Sequence, residues 1–240
     1  MVKTMVTFAD ELKLNASKIW NNILSHKFIN EISTDTLPLN KFVFYLRQDH
    51  IFLKEFCNFL QNAKEKCELD EDNRMKEWFD GLYSITVNLE MKMQNQSLDS
   101  LGMTSLLSSA YTNNYSLESI SSKMTLEYTS YLTYVSLKGG LHEIVSVMAP
   151  CPWSYFEIAK KLSKRKQDIK TEVFRKWIDF YSSYESVKQV EDVKDILNEL
   201  SLNAGEADKK LMKNHFYTAC KYEYNFWEMA YSLDSNSGLD

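Results

Sequence analysis

The sequence predicts an all-α fold, and three observations support this prediction. Its 240 residues include six glycines and three prolines, too few for the many tight turns of a β protein of this size. Hydrophobic residues make up 44% of the chain and aromatic residues 13%, which indicates a packed core. Apolar residues also recur at helical spacing in several long stretches. With no internal repeat or boundary, residues 1–232 are predicted to form one helical domain, followed by a flexible C-terminal tail, residues 233–240.

One predicted helix carries an acidic residue where an apolar one is expected. Asn40 is the expected N-cap of a helix over residues 41–66. The apolar stripe of this helix consists of Phe42, Tyr45, Leu46, Asp49, Phe52, Leu53, Phe56 and Leu60. A carboxylate on such a stripe needs a hydrogen bond or a charged partner. Asp49 is therefore either a structural aspartate, held by a tyrosine or tryptophan, or a ligand-binding residue.

Two further helices are predicted in the first half of the chain. Residues 7–24 begin with Thr7 and Asp10 at the positions of a capping box. Residues 71–101 form a helix whose predicted inward face comprises Met75, Trp78, Leu82, Ile85, Leu89 and Met93.

Beyond Gly102, which is expected to end that helix, the polar residues 103–122 predict a long connection with a short helix inside it. Further helices are predicted over residues 124–139, 141–148, 152–165, 168–182, 184–203 and 206–232. The last of these repeats the anomaly of Asp49, because Glu223 lies on an apolar and aromatic stripe.

Cys151 lies between Pro150 and Pro152, directly before the helix predicted over residues 152–165. Since proline is favoured at the first helical position, Cys151 is expected at or next to the N-cap. There the positive end of the helix dipole would stabilise the thiolate and lower the pKa of the thiol. Tyr155 lies one turn further on the same face. The alternative is a small hydrophobic cysteine in a tight corner, and the corner alone does not decide between the two.

Charge and cysteine usage exclude several classes of protein. The net charge of −5 is spread along the chain, and the absence of a basic block argues against nucleic-acid binding. The four cysteines have no C-x-x-C spacing, which is typical of free thiols in a reducing cytosol. No apolar run approaches the ~18 residues of a membrane span. We therefore expect a cytoplasmic protein without membrane or nucleic-acid partners.

Residues that are distant in sequence share a predicted inward orientation. They comprise three reactive groups and three tyrosines: Asp49, Cys151, Glu223, Tyr128, Tyr155 and Tyr181. Together they would form an aromatic pocket with two carboxylates and a thiol, which suits a flat, polar heteroaromatic ligand. Burial would raise the pKa of Glu223 toward neutrality, as general acid catalysis requires.

Six short motifs occur in order along almost the whole chain: Asp35-Thr36-Leu37-Pro38, Phe44-Tyr45-Leu46-Arg47-Gln48-Asp49, Tyr128-Thr129-Ser130-Tyr131, Pro150-Cys151-Pro152-Trp153-Ser154-Tyr155, Trp177 to Tyr181, and Tyr222-Glu223-Tyr224-Asn225-Phe226-Trp227. In their order and spacing they resemble the TenA family, also called thiaminase II or aminopyrimidine aminohydrolase. Because it has Cys151, the chain resembles the branch of that family whose members contain this cysteine. This resemblance implies a haem-oxygenase-like helical bundle, commonly assembled as a homotetramer.

The resemblance also implies an activity in thiamine salvage. The substrate would be 4-amino-5-aminomethyl-2-methylpyrimidine or thiamine, and the product 4-amino-5-hydroxymethyl-2-methylpyrimidine, with no cofactor or metal. By analogy Cys151 is the nucleophile and Glu223 the acid–base residue. Asp49 would bind the 4-amino group and the adjacent ring nitrogen, and Tyr155 the opposite ring nitrogen. The aromatic residues Tyr128, Tyr181 and Phe52 would hold the ring.

Two other functions compete with this interpretation. A di-metal protein needs paired Glu-x-x-His motifs, which this chain lacks. His26, at the end of the first predicted helix, is less expected as a haem ligand than as a helix C-terminal cation or capping residue. A non-catalytic aminopyrimidine-binding or regulatory homologue would keep the pocket without turnover. The presence of both Cys151 and Glu223 argues against it.

Phe52 departs from the family pattern, since many members have a tyrosine at this position whose hydroxyl supports the catalytic thiol and glutamate. We expect the Phe52→Tyr variant to turn over substrate faster than the natural chain, because the added hydroxyl restores that hydrogen bond. Steady-state rates on the aminomethylpyrimidine test this, and unchanged or lower turnover would contradict it.

Overall fold

The computed structural model describes residues 6–103 and 121–234, and the regular structure within these ranges is helical throughout. Its α-helices are α1 (Phe8–Asn15), α2 (Ser17–Leu24), α3 (Lys27–Ser33), α4 (Leu39–Leu69), α5 (Asn73–Ile85), α6 (Met91–Ser100), α7 (Lys123–Lys138), α8 (Leu141–Met148), α9 (Pro150–Ser163), α10 (Glu172–Tyr181), α11 (Tyr184–Asn203) and α12 (Glu206–Ser232). A π-helical turn, Thr86–Glu90, joins α5 to α6, and a 3₁₀ turn, Lys166–Asp168, precedes α10. None of the described helices is long and apolar enough to cross a membrane.

The two longest helices form the centre of the molecule. At 1.5 Å per residue, α4 is about 46 Å long and α12 about 40 Å. α4 packs against α5 and α7, α12 packs against α2 and α8, and the two long helices also contact each other. Between them lies an aromatic core in which the Tyr45 ring stacks on Trp227 with a centroid distance of 5.1 Å. α9 packs against α10, with Cys151 in the first turn of α9 and Tyr181 at the end of α10.

Most of the predicted helices are confirmed, and those over residues 141–148, 184–203 and 206–232 match the structure to the residue. The capping box at Thr7 and Asp10 is present. Every residue of the stripe predicted on residues 41–66 is buried. The spacing of apolar residues was therefore sufficient to orient the two long helices, including the buried carboxylates on them.

Two predicted boundaries near the N-terminus are wrong. Residues 7–24 form two helices, because the backbone at Ala16 (φ −91°, ψ 6°) separates α1 from α2. Asn40 is not an N-cap, since α4 begins at Leu39 after Pro38. The carbonyl of Pro38 accepts hydrogen bonds from the N–H groups of residues 41 and 42, so the first helical bond starts two residues earlier than predicted.

The π-helical turn changes the register of the helix predicted over residues 71–101. A π turn accommodates one extra residue in a helix, so the inward face moves forward by one position after it. Leu89, which was predicted to point inward, is 44% exposed, whereas Gln94 is fully buried in place of Met93. The prediction for the second half of this helix was wrong because the uniform 3.6-residue period does not hold across Thr86–Glu90.

α9 begins at Pro150, two residues before the predicted start. Ala149 has helical backbone angles (φ −56°, ψ −39°), so α8 runs into α9 with almost no break. Cys151 is consequently the second residue of α9 and not its N-cap. The helix predicted over residues 71–101 ends before Gly102, as expected, and Gly102 has a positive φ of 71°. The connection predicted over residues 103–122 and the C-terminal tail fall mostly on residues outside the described ranges.

His26 is the N-cap of α3, and both of its ring nitrogens have partners. Nδ1 accepts a hydrogen bond of 3.1 Å from the backbone N–H of Phe28, and Nε2 lies 3.2 Å from a carboxylate oxygen of Glu228. Since Nδ1 accepts, the proton of the neutral ring is on Nε2. Burial lowers the pKa of His26, and the nearby Glu228 only partly offsets this effect. His26 is thus a neutral N-cap of α3, and its prediction as a C-terminal cation of the preceding helix is wrong.

We expect stability to depend on pH through His26. Its pKa is lower in the folded chain than in the unfolded one, so the unfolded state binds more protons below about pH 6.5. The stabilising contribution is present above that pH and is lost as the pH falls. In the His26→Asn variant, asparagine keeps an N-cap acceptor that does not titrate. Its Tm should fall less than that of the natural chain between about pH 7.5 and about pH 5.5. An equal or larger fall in the variant would contradict this assignment.

Candidate active site

A cavity of about 650 Å³ lies between α4, α6, α9, α10 and the start of α11. This volume falls in the range of small-molecule sites. α4 contributes the apolar side chains Leu53 and Phe56, and α9 contributes Cys151 and Tyr155. Tyr181, at the end of α10, completes the aromatic part of the wall. The cavity therefore combines an apolar lining with a thiol that is partly exposed to it.

Cys151 and Glu223 are hydrogen-bonded to each other. Glu223 lies on α12 with 2% of its surface exposed, and it accepts a second hydrogen bond of 2.7 Å from the hydroxyl of Tyr128 on α7. The Tyr128 ring stacks on Tyr222 (centroid distance 4.9 Å, interplanar angle 3°), which fixes the direction of that hydroxyl. Three separate helices thus hold the thiol and the carboxyl group in contact.

Asp49 is held by a second network of uncharged donors. Its Oδ2 accepts hydrogen bonds from the Tyr45 hydroxyl (3.0 Å) and from Nε2 of Gln94 (2.6 Å). Tyr45 in turn accepts a hydrogen bond of 3.1 Å from Nε1 of Trp177 and another from the hydroxyl of Tyr155. A tyrosine and a tryptophan therefore support Asp49, as its structural interpretation predicted, and the same network connects it to the cavity wall through Tyr155.

A third carboxylate, Glu90, lines the cavity and was not predicted as a site residue. It is the last residue of the π-helical turn and accepts a hydrogen bond of 2.6 Å from the hydroxyl of Tyr181. Gln94, the partner of Asp49, lies four residues further on the same helical face. The uniform period used for this helix placed Leu89 and Met93 inward, so the sequence pattern gave no signal for either residue.

Burial dominates the ionisation of these carboxyl groups. It raises the pKa of Glu223 to about 7, against the opposing effect of the hydrogen bonds from Tyr128 and Cys151. It also raises the pKa of Glu90 to about 7. The pKa of Asp49 lies well above its ordinary value, first because of burial and then because of the neighbouring Glu90 and Glu223. The raised pKa predicted for Glu223 is confirmed.

The lowered pKa predicted for the Cys151 thiol is wrong. Burial raises this pKa well above its ordinary value, and the negative charges of Glu223, Glu90 and Asp49 raise it further. The helix dipole was expected to act in the opposite direction, but Cys151 is inside the first turn of a helix that continues α8. For the thiol to react, its proton must move to an acceptor, and the hydrogen-bonded carboxylate of Glu223 is in place for that.

The predicted site residues fall into two groups. The thiol and two tyrosines, Cys151, Tyr155 and Tyr181, line the cavity. The remaining four lie behind this wall and are buried: Asp49, Phe52, Tyr128 and Glu223. The Phe52 ring packs on the Tyr128 ring with a centroid distance of 4.9 Å. The structure therefore brings all seven residues to one region in two layers.

The residues found only from the structure are Tyr45, Glu90 and Gln94. Tyr45 was on the predicted apolar stripe of α4, where its hydroxyl could have indicated a partner for Asp49. Within residues 6–103 and 121–234, no group of three or more histidine, cysteine, aspartate or glutamate side chains is arranged to hold a metal ion. The described donors to Asp49, Glu90 and Glu223 are tyrosine, glutamine and cysteine side chains, all uncharged.

Comparison with known proteins relates this site to a family. The model of the TENA/THI-4/PQQC family matches residues 14–233. An aminopyrimidine aminohydrolase of Helicobacter pylori is 32% identical to this chain over 219 residues, covering 90% of this chain and 95% of that protein. A protein of the same name from Halalkalibacterium halodurans is 28% identical over 228 residues, covering 95% of this chain and 96% of that protein.

Solved structures agree with the described architecture. The TenA homologue protein from P. horikoshii OT3 superposes with a TM-score of 0.81 at 27% identity and covers 95% of this chain and 99% of its own. A domain with a heme oxygenase-like fold from Shewanella denitrificans superposes with a TM-score of 0.70 at 13% identity, covering 93% of this chain and 91% of its own. The second likeness shows the fold alone, and it confirms the predicted haem-oxygenase-like helical bundle.

Proposed function

This chain belongs to the TENA/THI-4/PQQC family, and we propose that it hydrolyses thiamine-related aminopyrimidines. The substrate is 4-amino-5-aminomethyl-2-methylpyrimidine or thiamine, and the product is 4-amino-5-hydroxymethyl-2-methylpyrimidine. One observation carries the proposal: a thiol that opens into the cavity is hydrogen-bonded to a buried carboxyl group, Glu223, whose pKa is about 7. The names of the relatives, which are aminopyrimidine aminohydrolases at 28–32% identity, support the choice of ring.

The reaction begins with proton transfer from Cys151 to Glu223. Because the pKa of the thiol is raised, the proton moves to the carboxylate as sulfur bonds to the pyrimidine ring. The ring loses its aromaticity, and its electron pair then expels the amine from the exocyclic methylene. An unprotonated amine takes the proton from Glu223 as it departs. An ammonium group leaves as ammonia and the thiazolium of thiamine leaves as a neutral thiazole, and in both of these cases the proton on Glu223 passes to solvent.

Water completes the reaction at the exocyclic carbon. Glu223 accepts a proton from water as the new C–O bond forms, and the ring then expels the sulfur and becomes aromatic again. The thiolate regains its proton from Glu223, so the enzyme returns to its starting state. A carboxyl group with a pKa near 7 can both accept and donate protons at neutral pH, which is what these two steps need.

Substrate recognition is assigned to the buried side chains around the thiol. Asp49 binds the 4-amino group and the adjacent ring nitrogen, and Tyr155 binds the opposite ring nitrogen. The rings of Tyr128, Tyr181 and Phe52 hold the pyrimidine by stacking and edge contacts. Support for this assignment is the hydrogen-bonded connection from Asp49 through Tyr45 to Tyr155 at the cavity wall.

The roles of the thiol and the carboxyl group are tested by the variants Cys151→Ser and Glu223→Gln. With both substrates, we expect each variant to lose at least about 100-fold in kcat, because each lacks a group needed for covalent or proton transfer. Product formation is measured by chromatography. The matched control is Cys67→Ser, which changes a fully buried thiol at the far end of α4 and should retain the rate of the natural chain.

Two outcomes would contradict the proposed function. Equal rates in the natural chain and in Cys151→Ser would exclude the thiol as nucleophile. If the natural chain shows no turnover but binds the hydroxymethylpyrimidine tightly, it is a non-catalytic homologue that retains the pocket.

Tyr128 is expected to set the pH at which Glu223 ionises. Its hydroxyl donates to the carboxylate and favours the charged form. In the Tyr128→Phe variant, the pKa of Glu223 should rise above about 7, so the acidic limb of kcat/KM moves to higher pH. Tyr222→Phe is the control, because Tyr222 contacts Tyr128 by stacking. An unshifted limb in Tyr128→Phe would show that another group governs it.

A further inference from the structure

Glu90 occupies a position in the cavity wall that the proposed reaction does not use. We propose that Glu90 is a specificity-determining residue that selects substrates with a positive charge on the departing side of the aminopyrimidine. This inference rests on the proposed function and deepens it, since it assigns a residue to the leaving group. The uncharged hydroxymethyl product would lack this interaction, so Glu90 would favour binding of substrate over product.

The backbone places Glu90 next to the reacting groups. The π-helical turn ends at Glu90, and the residue one turn later, Gln94, reaches Asp49. The negative charge of Glu90 acts on the ionisation of both Asp49 and Cys151. Glu90 is therefore close to the ring-binding carboxylate and to the nucleophile, while its own side chain lines the open cavity.

The partners of Glu90 leave its negative charge without a counter-charge. Tyr181 donates to its Oε1, and no lysine or arginine among the described residues forms an ion pair with Glu90. A partly buried carboxylate without a cation is unfavourable, and a cationic ligand would relieve this cost. The pocket is thus electrostatically complementary to a cation.

The other charged side chains of the cavity, here called its rim, do not favour a cationic ligand over an uncharged one. They are Lys92, Lys176, Asp179 and Glu185, two of each sign. Lys176 is already paired with Glu172 at 2.6 Å. Because the charges at the rim are equal in number and opposite in sign, the remaining charged side chain of the cavity lining is that of Glu90.

The chemistry of the substrates fits this arrangement. A primary alkylamine is protonated near neutral pH, so the aminomethylpyrimidine carries an ammonium group, and the thiazolium of thiamine is permanently cationic. In both molecules the charge lies on the group that departs. Hydrolysis replaces it with an uncharged hydroxyl group, which removes the attraction to Glu90 once the product has formed.

Binding measurements separate this role from a structural one. In the Cys151→Ser background, which prevents turnover, calorimetry gives the Kd of thiamine, of the aminomethylpyrimidine and of the hydroxymethylpyrimidine. Adding Glu90→Gln should weaken both cationic ligands at least about tenfold, as expected for a charge-assisted contact. The Kd of the uncharged hydroxymethylpyrimidine should change less than about twofold.

Two further variants serve as controls. Glu90→Asp keeps the charge and should retain the preference for cationic ligands. Glu185→Gln removes an exposed carboxylate from the rim of the same cavity and should leave all three affinities unchanged. Should Glu90→Gln not fold, which thermal unfolding reveals, the comparison rests on Glu90→Asp, and a loss of charge preference there overturns the inference.

The two proposals can fail separately. If the natural chain turns over neither substrate, the proposed function fails, and the three affinities still decide the role of Glu90. If Glu90→Gln weakens the product as much as the substrates, or weakens none of them, the inference about Glu90 is overturned while the hydrolase activity stands. Failure of thiamine and the aminomethylpyrimidine to bind at all overturns both.

Discussion

The structure depends on placing three carboxyl groups, two buried and one partly buried, beside one thiol in an aromatic interior. Such burial is tolerated because each carboxyl group accepts a hydrogen bond from a tyrosine whose ring packs against another aromatic ring. Tyr128 is held by Tyr222, Tyr45 by Trp227, and both aromatic stacks lie against the long helix α12. The core and the site are therefore one continuous network, and the packing of the bundle determines where the polar groups point.

This shared environment explains why all three carboxyl groups have raised pKa values, and why Glu90 and Glu223, with pKa values of about 7, are partly ionised at neutral pH. In a site where each carboxylate is paired with a cation, that cation would determine the pKa of the carboxyl group. Here Glu90 and Glu223 raise the pKa of Asp49, and all three carboxylates raise the pKa of Cys151, while the described donors around them are uncharged. In the proposed reaction, the proton of the Cys151 thiol passes to Glu223, and both groups stay within this uncharged surrounding. The site is suited to relaying protons and poorly suited to holding a free thiolate.

The sequence predicted site residues correctly where a charged side chain interrupts a regular helical repeat of apolar residues. Asp49 and Glu223 could be recognised because they interrupt long apolar stripes on α4 and α12, and both are buried as predicted. The period failed across Thr86–Glu90, where one extra residue shifts the inward face, so Glu90 and Gln94 could not be found. The raised pKa of Cys151 could not be predicted from its own helix either, because it results first from burial and then from carboxylates on three other segments of the chain.

The π-helical turn has a consequence for how this helix tolerates changes in length. Each residue of an α-helix advances the side-chain direction by about 100°, so a one-residue insertion in a regular helix would turn half of its face away from the core. In this helix the wide turn absorbs that rotation, with Met75, Phe79 and Leu82 buried before it and Gln94 and Leu98 buried after it. Loss of one exposed residue, such as Asn88, would restore a regular helix with both halves still facing inward. The wide turn therefore lets this wall of the cavity lose one residue while Gln94 and Leu98 stay in the core.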